Sequence, residues 1–125
     1  MSQRIIAHIS ATVIDVLNLE CQPGEPIYLG SSNIEHMKDK HPADYERYHA
    51  YISQILSAPD YVAINKKNQS IEYVKQFRID DAFVKVAVRV SHSGRYFARS
   101  MYTLNTKRVQ NFIAKGTLKR VDRFS

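Results

Sequence analysis

Along residues 83–91 apolar and polar positions alternate without a break. Val84, Val86, Val88 and Val90 fall on one side; Phe83, Lys85, Ala87, Arg89 and Ser91 fall on the other. Strand side chains point alternately to opposite faces, so this period of two predicts a strand with its valines toward the core and two cations on the opposite face. Runs at 61–65, 70–78 and 95–104 predict three more strands. Lys66-Lys67-Asn68-Gln69, Ile79-Asp80-Asp81 and His92-Ser93-Gly94 read as the turns between them. These connections are too short for helical crossovers, so the four strands should pair antiparallel. In 95–104 the pattern does not pick a core side. Arg95, Phe97, Arg99, Met101 and Thr103 form one side; Tyr96, Ala98, Ser100, Tyr102 and Leu104 form the other; both are mixed.

Upstream, residues 4–9 suit a strand, and 11–18 are ambiguous between helix and strand. Cys21-Gln-Pro-Gly-Glu-Pro26 is a turn, and Ile27 to Leu29 a short extended piece. A helix is expected to open at Gly30-Ser31-Ser32, where Ser32 and Glu35 have capping-box spacing, and to end near Lys40, before Pro42. A second helix should run from Asp44 to about Leu56 on the stripe Tyr45, Tyr48, Ile52, Ile55 and Leu56. A last helix is capped by Asn105, buries Val109, Phe112 and Ile113, and stops at Gly116. Residues 117–125 form a basic tail with Lys119, Arg120 and Arg123, expected to fray. The pattern predicts one α+β domain over residues 1–125: N-terminal helices, then a four-stranded antiparallel sheet and a C-terminal helix.

Composition narrows the partners more than the fold. The 125 residues carry 18 Lys and Arg against 12 Asp and Glu, a net charge of +6. Such a balance favours polyanions, nucleic acid among them. Cys21 is the single cysteine, so no internal disulfide forms, in keeping with a reducing compartment. His8, Ser10, Thr12 and Asp15 interrupt the apolar opening, unlike a signal peptide. No run approaches the roughly 20 apolar residues of a membrane span. A soluble cytoplasmic protein without membrane contact is the expectation.

The candidate chemistry is sparse. His36 and Lys40, four apart, share one face of the first capped helix, while Ile34, Met37 and His41 share its apolar face. His36 then looks outward or into a cleft, and His41 sits at the helix end beside the core. A metal site is poorly supported, because His36 and His41 are five apart and Cys21 has no partner cysteine. Neither a phosphate-cradling glycine loop nor a nucleophile elbow is present, so no metal or cofactor is expected. One reaction needs only such parts. RNA supplies its own nucleophile, the 2′-hydroxyl, and cleavage asks for a base, an acid and cations about the phosphate. Histidine titrates near neutrality and suits the proton transfers.

The stretch IYLGSSNIEHMKDKHPADYERY (27–48), then ISQILSAPDYV (52–62) and GRYFARSMYTLN (94–105), resembles the phage-borne nuclease-like domains grouped with barnase, EndoU, colicin nucleases and RelE. The resemblance covers about residues 25–115. It implies a helix-then-sheet core and metal-independent RNase activity in a host-cell cytoplasm. It also implies that the family's helix histidine and its Lys-His-Pro fall on His36, Lys40, His41 and Pro42. The small hydroxyl residue of the last strand falls on Ser100, with Tyr102 two later, and Arg89 and Arg99 are the phosphate-facing cations. Arg89 is preferred over Lys85, which has no counterpart in that pattern.

The leading expectation is therefore an RNA-cleaving enzyme. His36 or His41 is its acid or base, Lys40, Arg89 and Arg99 hold the phosphate, and Ser100 and Tyr102 position it. The alternative is a binding module of the same fold that takes RNA or a host protein. RNA is the expected partner, with a host protein or an inhibitor as the other; the oligomeric state is left open.

Overall fold

The computed structural model describes residues 3–121. Its elements run β1 (Gln3–His8), α1 (Ala11–Leu17), β2 (Pro26–Gly30), α2 (Ser31–Lys40), α3 (Pro42–Tyr48), a 3₁₀ turn (His49–Tyr51) and α4 (Ile52–Ser57). They continue with β3 (Tyr61–Ile64), β4 (Ile71–Phe77), β5 (Ala82–Val90), β6 (Tyr96–Leu104), α5 (Thr106–Ala114) and β7 (Lys119–Arg120). The chain is α+β. No helix among the described residues is long and apolar enough to cross a membrane.

The expected four-stranded antiparallel sheet is corrected to a seven-stranded mixed one, in the order β1-β2-β6-β5-β4-β3-β7. The meander β3–β4–β5–β6 pairs antiparallel at its centre. The N-terminal antiparallel pair β1–β2, connected through α1, joins beyond β6, and β2 runs parallel to β6 through Ile27↔Tyr96 and Tyr28↔Phe97. That parallel pair closes across more than half of the chain, so no local turn signal announces it. At the other edge, β7 pairs with β3 through Tyr61↔Arg120 and Val62↔Lys119. The expected frayed tail is thus corrected through residue 121: Leu118 and Val121 are buried, and the Val121 amide donates to the Asp60 carbonyl at 3.0 Å. Arg123 lies outside the described residues.

Local chemistry explains three further differences. Residues 11–17 are helical because Ser10 caps them, its hydroxyl accepting from the Val13 amide at 3.2 Å. The next helix starts two residues earlier than the Ser32–Glu35 spacing predicts. Gly30 is its cap residue, and the Asn33 side chain accepts from the Gly30 amide at 2.9 Å. The expected continuous helix to Leu56 is interrupted by the 3₁₀ turn, which Tyr48 precedes at φ −116° and Tyr51 ends at φ −105°. Both rings then pack against Phe77, at centroid distances of 5.1 and 5.4 Å.

The main core lies between one sheet face and the N-terminal helices. Tyr73, Val84, Val86, Val88, Ala98 and Met101 meet Val13, Met37, Tyr48, Ile52, Ile55 and Leu56 there. Val90, expected among the core valines, is 48% exposed at the strand's end, so three valines of the four are buried. On the second face a smaller cluster of Ala63, Val74, Phe83, Val109 and Leu118 seats α5 over one end of the sheet. The rest of that second face is where the polar residues gather.

Candidate functional site

The two mixed sides of 95–104 are explained by a β-bulge. Ala87 pairs with Ser100 and Val88 with Ala98, so Arg99 is an extra residue with no partner on β5. An inserted residue resets the alternation. Before it, Ala98 faces the core and Phe97 lies opposite Arg89; after it, Met101 faces the core and Tyr102 lies opposite Lys85. The two halves of β6 therefore follow different parities, and no single alternation fits the strand. The consequence is chemical: Arg99 and Ser100, neighbours in sequence, line the same cleft.

That cleft has a volume of about 260 Å³. Its floor is sheet: Ser70 and Glu72 from β4 and the residue before it, Lys85, Ala87 and Arg89 from β5, and Ser100 and Tyr102 from β6. Asn65 and Asn68 from the β3–β4 turn close one side. His36 of α2 forms the other. Helix α2 can reach the cleft because β2 leaves the sheet after two pairs with β6, and the chain then folds back alongside the rest of that strand. Asp44 at the start of α3 fixes the approach, its carboxylate accepting from the Thr103 backbone amide at 3.0 Å. Met37 is wholly buried in the core, while its neighbour His36 is exposed on the cleft side.

A half-buried charge network orders the floor. The Lys85 ammonium donates to the Glu72 carboxylate at 3.1 Å and lies 4.7 Å from the centre of the Tyr102 ring. Burial works against the charge on Lys85, yet the Tyr102 hydroxyl and the Glu72 carboxylate outweigh it and raise its pKa, so the side chain stays a cation. Arg89 donates from Nε to the Ser70 hydroxyl at 3.3 Å and lines the cleft. Three cations, Lys85, Arg89 and Arg99, thus line one pocket against a single carboxylate, Glu72. The arrangement suits a polyanion with a phosphate at its centre. No group of three or more His, Cys, Asp and Glu side chains that could hold a metal ion occurs among the described residues.

The profile of the family described as phage-Barnase-EndoU-ColicinE5/D-RelE like nuclease 3 matches residues 4–111, from β1 into α5. The chain belongs to this family. No curated protein and no solved structure matches it.

Within this nuclease-like domain the structure brings together five of the seven residues expected from sequence: His36, Arg89, Arg99, Ser100 and Tyr102. His41 stands behind them, its ring stacked on Tyr102 with centroids 4.8 Å apart. Lys40 is exposed at the end of α2 and does not line the cleft. Sequence reasoning missed Ser70, Glu72, Asn65 and Asn68, and set Lys85 aside. One signal for Glu72 was available: it shares a strand face with Ser70, between the core residues Ile71 and Tyr73, and a carboxylate on a central strand needs a cationic neighbour.

Proposed function

We propose that this nuclease-like domain is a metal-independent endoribonuclease that cleaves RNA by attack of the 2′-hydroxyl on the adjacent phosphate. The observation that carries the reading is the convergence of His36, Arg89, Arg99, Ser100 and Tyr102 on one cleft. Arg89 and Arg99 bind the non-bridging phosphate oxygens and stabilise the charge that builds on them, a role worth on the order of 3 kcal/mol for one well-aimed donor. His36 takes the proton of the 2′-hydroxyl as its oxygen bonds to phosphorus. The bond to the 5′-oxygen breaks, and that oxygen takes a proton from the Tyr102 hydroxyl, which borders the Lys85 ammonium. The products are a 2′,3′-cyclic phosphate and a free 5′-hydroxyl. Ser100 offers a hydroxyl beside the phosphate between the two arginines.

The test is cleavage of unstructured RNA in EDTA by the wild type, His36→Ala and Arg89→Ala. The reading expects activity that falls roughly 10²–10⁴-fold without the histidine. Equal cleavage by wild type and His36→Ala would remove it. Salt-sensitive binding of RNA by the wild type with no cleavage would instead make the chain a binding module of the same fold.

A further inference from the structure

The cleft does not end at Arg99. A second cavity of about 240 Å³ shares that side chain and is walled by Phe97, Gln3 and the first turn of α2. The sheet register shows what continues past it. Arg89 pairs with Phe97, Phe97 with Tyr28, and Tyr28 with Ile5. Because Val88, Ala98, Ile27 and Leu29 point into the core, this row points to the opposite face, the same one that floors the cleft. The Tyr28 and Phe97 rings lie side by side with centroids 5.7 Å apart. The Arg95 guanidinium lies 5.1 Å from the centre of the Tyr28 ring, and Ile5 at the end of the row is 49% exposed. Aromatic rings in a row across a sheet, flanked by Arg95 and Arg99, match what unpaired bases and their phosphates require. Paired bases cannot use such a surface, because their faces are already stacked within the helix.

We propose that the sheet face running from Arg99 over Phe97 and Tyr28 is a stacking platform for single-stranded RNA, holding the nucleotides that flank the phosphate in the cleft. Arg99 holds the phosphate shared by the two cavities, the next base stacks on Phe97, and Arg95 meets the phosphate beyond. The proposal rests on the reading of the cleft as an RNA site, and it adds the substrate class: unpaired RNA longer than a dinucleotide.

The experiment uses 2′-O-methyl RNA, which cannot be cut because its attacking oxygen is blocked, as a labelled dinucleotide, hexamer and hexamer duplex in fluorescence-anisotropy titrations. The wild type should bind the single-stranded hexamer well above the dinucleotide and the duplex. Phe97→Leu, which keeps apolar bulk without the ring, should weaken hexamer binding about tenfold and leave duplex binding unchanged. Arg95→Gln, at an exposed position, should weaken the hexamer as well and guards against a folding defect at Phe97. Hexamer affinities equal to wild type in both variants, or no preference of the wild type for the single strand, would overturn the platform. Platform-dependent binding by a protein that cuts no RNA would retire the cleavage reading and leave this one standing. Cutting without any response to Phe97→Leu and Arg95→Gln would do the reverse.

Discussion

His41 lies face to face with Tyr102, their planes 27° apart and their centroids separated by 4.8 Å. The stack joins the α2–α3 junction to the cleft floor, on the ring whose centre lies 4.7 Å from the Lys85 ammonium. On the proposed mechanism His41 acts by positioning Tyr102, and His36 is the proton carrier. His41→Ala should lower kcat about tenfold, and His41→Phe, which keeps the stack and cannot titrate, should restore most of it. A proton-transfer role would instead leave His41→Phe as impaired as His41→Ala. Single-turnover cleavage with both variants separates the two.

The strand periods in the sequence were enough to find the central meander and its cationic face, because each alternation is a local property. The bulge at Arg99 was visible only as a contradiction: neither parity of 95–104 gave a clean apolar side. Alternation on either side of an inserted residue reads as noise until the pairing partner is known. The edges were hidden for other reasons. Two residues, Lys119 and Arg120, are too few to show a period, and the β2–β6 pair depends on a contact across more than half of the chain. Helical spacing put His36 and Lys40 on one face, yet the cleft takes only His36, since β6 passes beside part of α2 and Lys40 lies at the helix end.

Lys85 and Glu72 are both largely buried, with side chains 14% and 16% exposed. Lys85→Met leaves the carboxylate without its partner and should cost about 3 kcal/mol. Glu72→Leu combined with Lys85→Met should recover much of that loss, because no lone charge remains in the floor. Urea unfolding of the wild type, both single variants and the double gives the coupling directly.

Tyr73 is buried in the main core, and its hydroxyl has no hydrogen-bond partner among the described residues. Burial, with the nearby Cys21 and Tyr96 adding to it, pushes its pKa far above the ordinary phenol value. Tyr73→Phe removes an unsatisfied donor at almost no cost in packing and should stabilise the fold by about 1 kcal/mol. A lower melting temperature in the variant would show that the hydroxyl has a partner in solution.

Asp80 in the β4–β5 turn accepts hydrogen bonds from the Arg47 guanidinium and, at 3.1 Å, from the Tyr48 hydroxyl. The Arg47 hydrogen bond holds its pKa below the ordinary carboxylate value, with Tyr48 assisting and burial opposing. A pKa lowered in the fold means stability that is present above the unfolded value, about 3.9, and lost as pH falls through the folded one. Asp80→Asn should therefore melt below the wild type at pH 7, and the gap should close in acid as Asp80 protonates. A gap that stays constant down to pH 2 would contradict the ion pair.

Arg99 is exposed and lines both cavities. Arg99→Gln should raise KM for RNA and reduce the slope of log affinity against log salt by about 0.7, one phosphate contact of a single strand. The melting temperature should hold, which distinguishes a lost contact from a lost fold.

In the proposed reaction RNA breaks in this cleft through attack by its own 2′-hydroxyl. A DNA oligonucleotide carrying one ribonucleotide, incubated with the protein in EDTA and read by mass spectrometry, decides whether that attack occurs. The expected result is one cut, 3′ to that ribose, leaving a 2′,3′-cyclic phosphate on one product and a 5′-hydroxyl on the other, and no cut with His36→Ala. Cleavage at deoxynucleotides, or equal cleavage by His36→Ala, would contradict it.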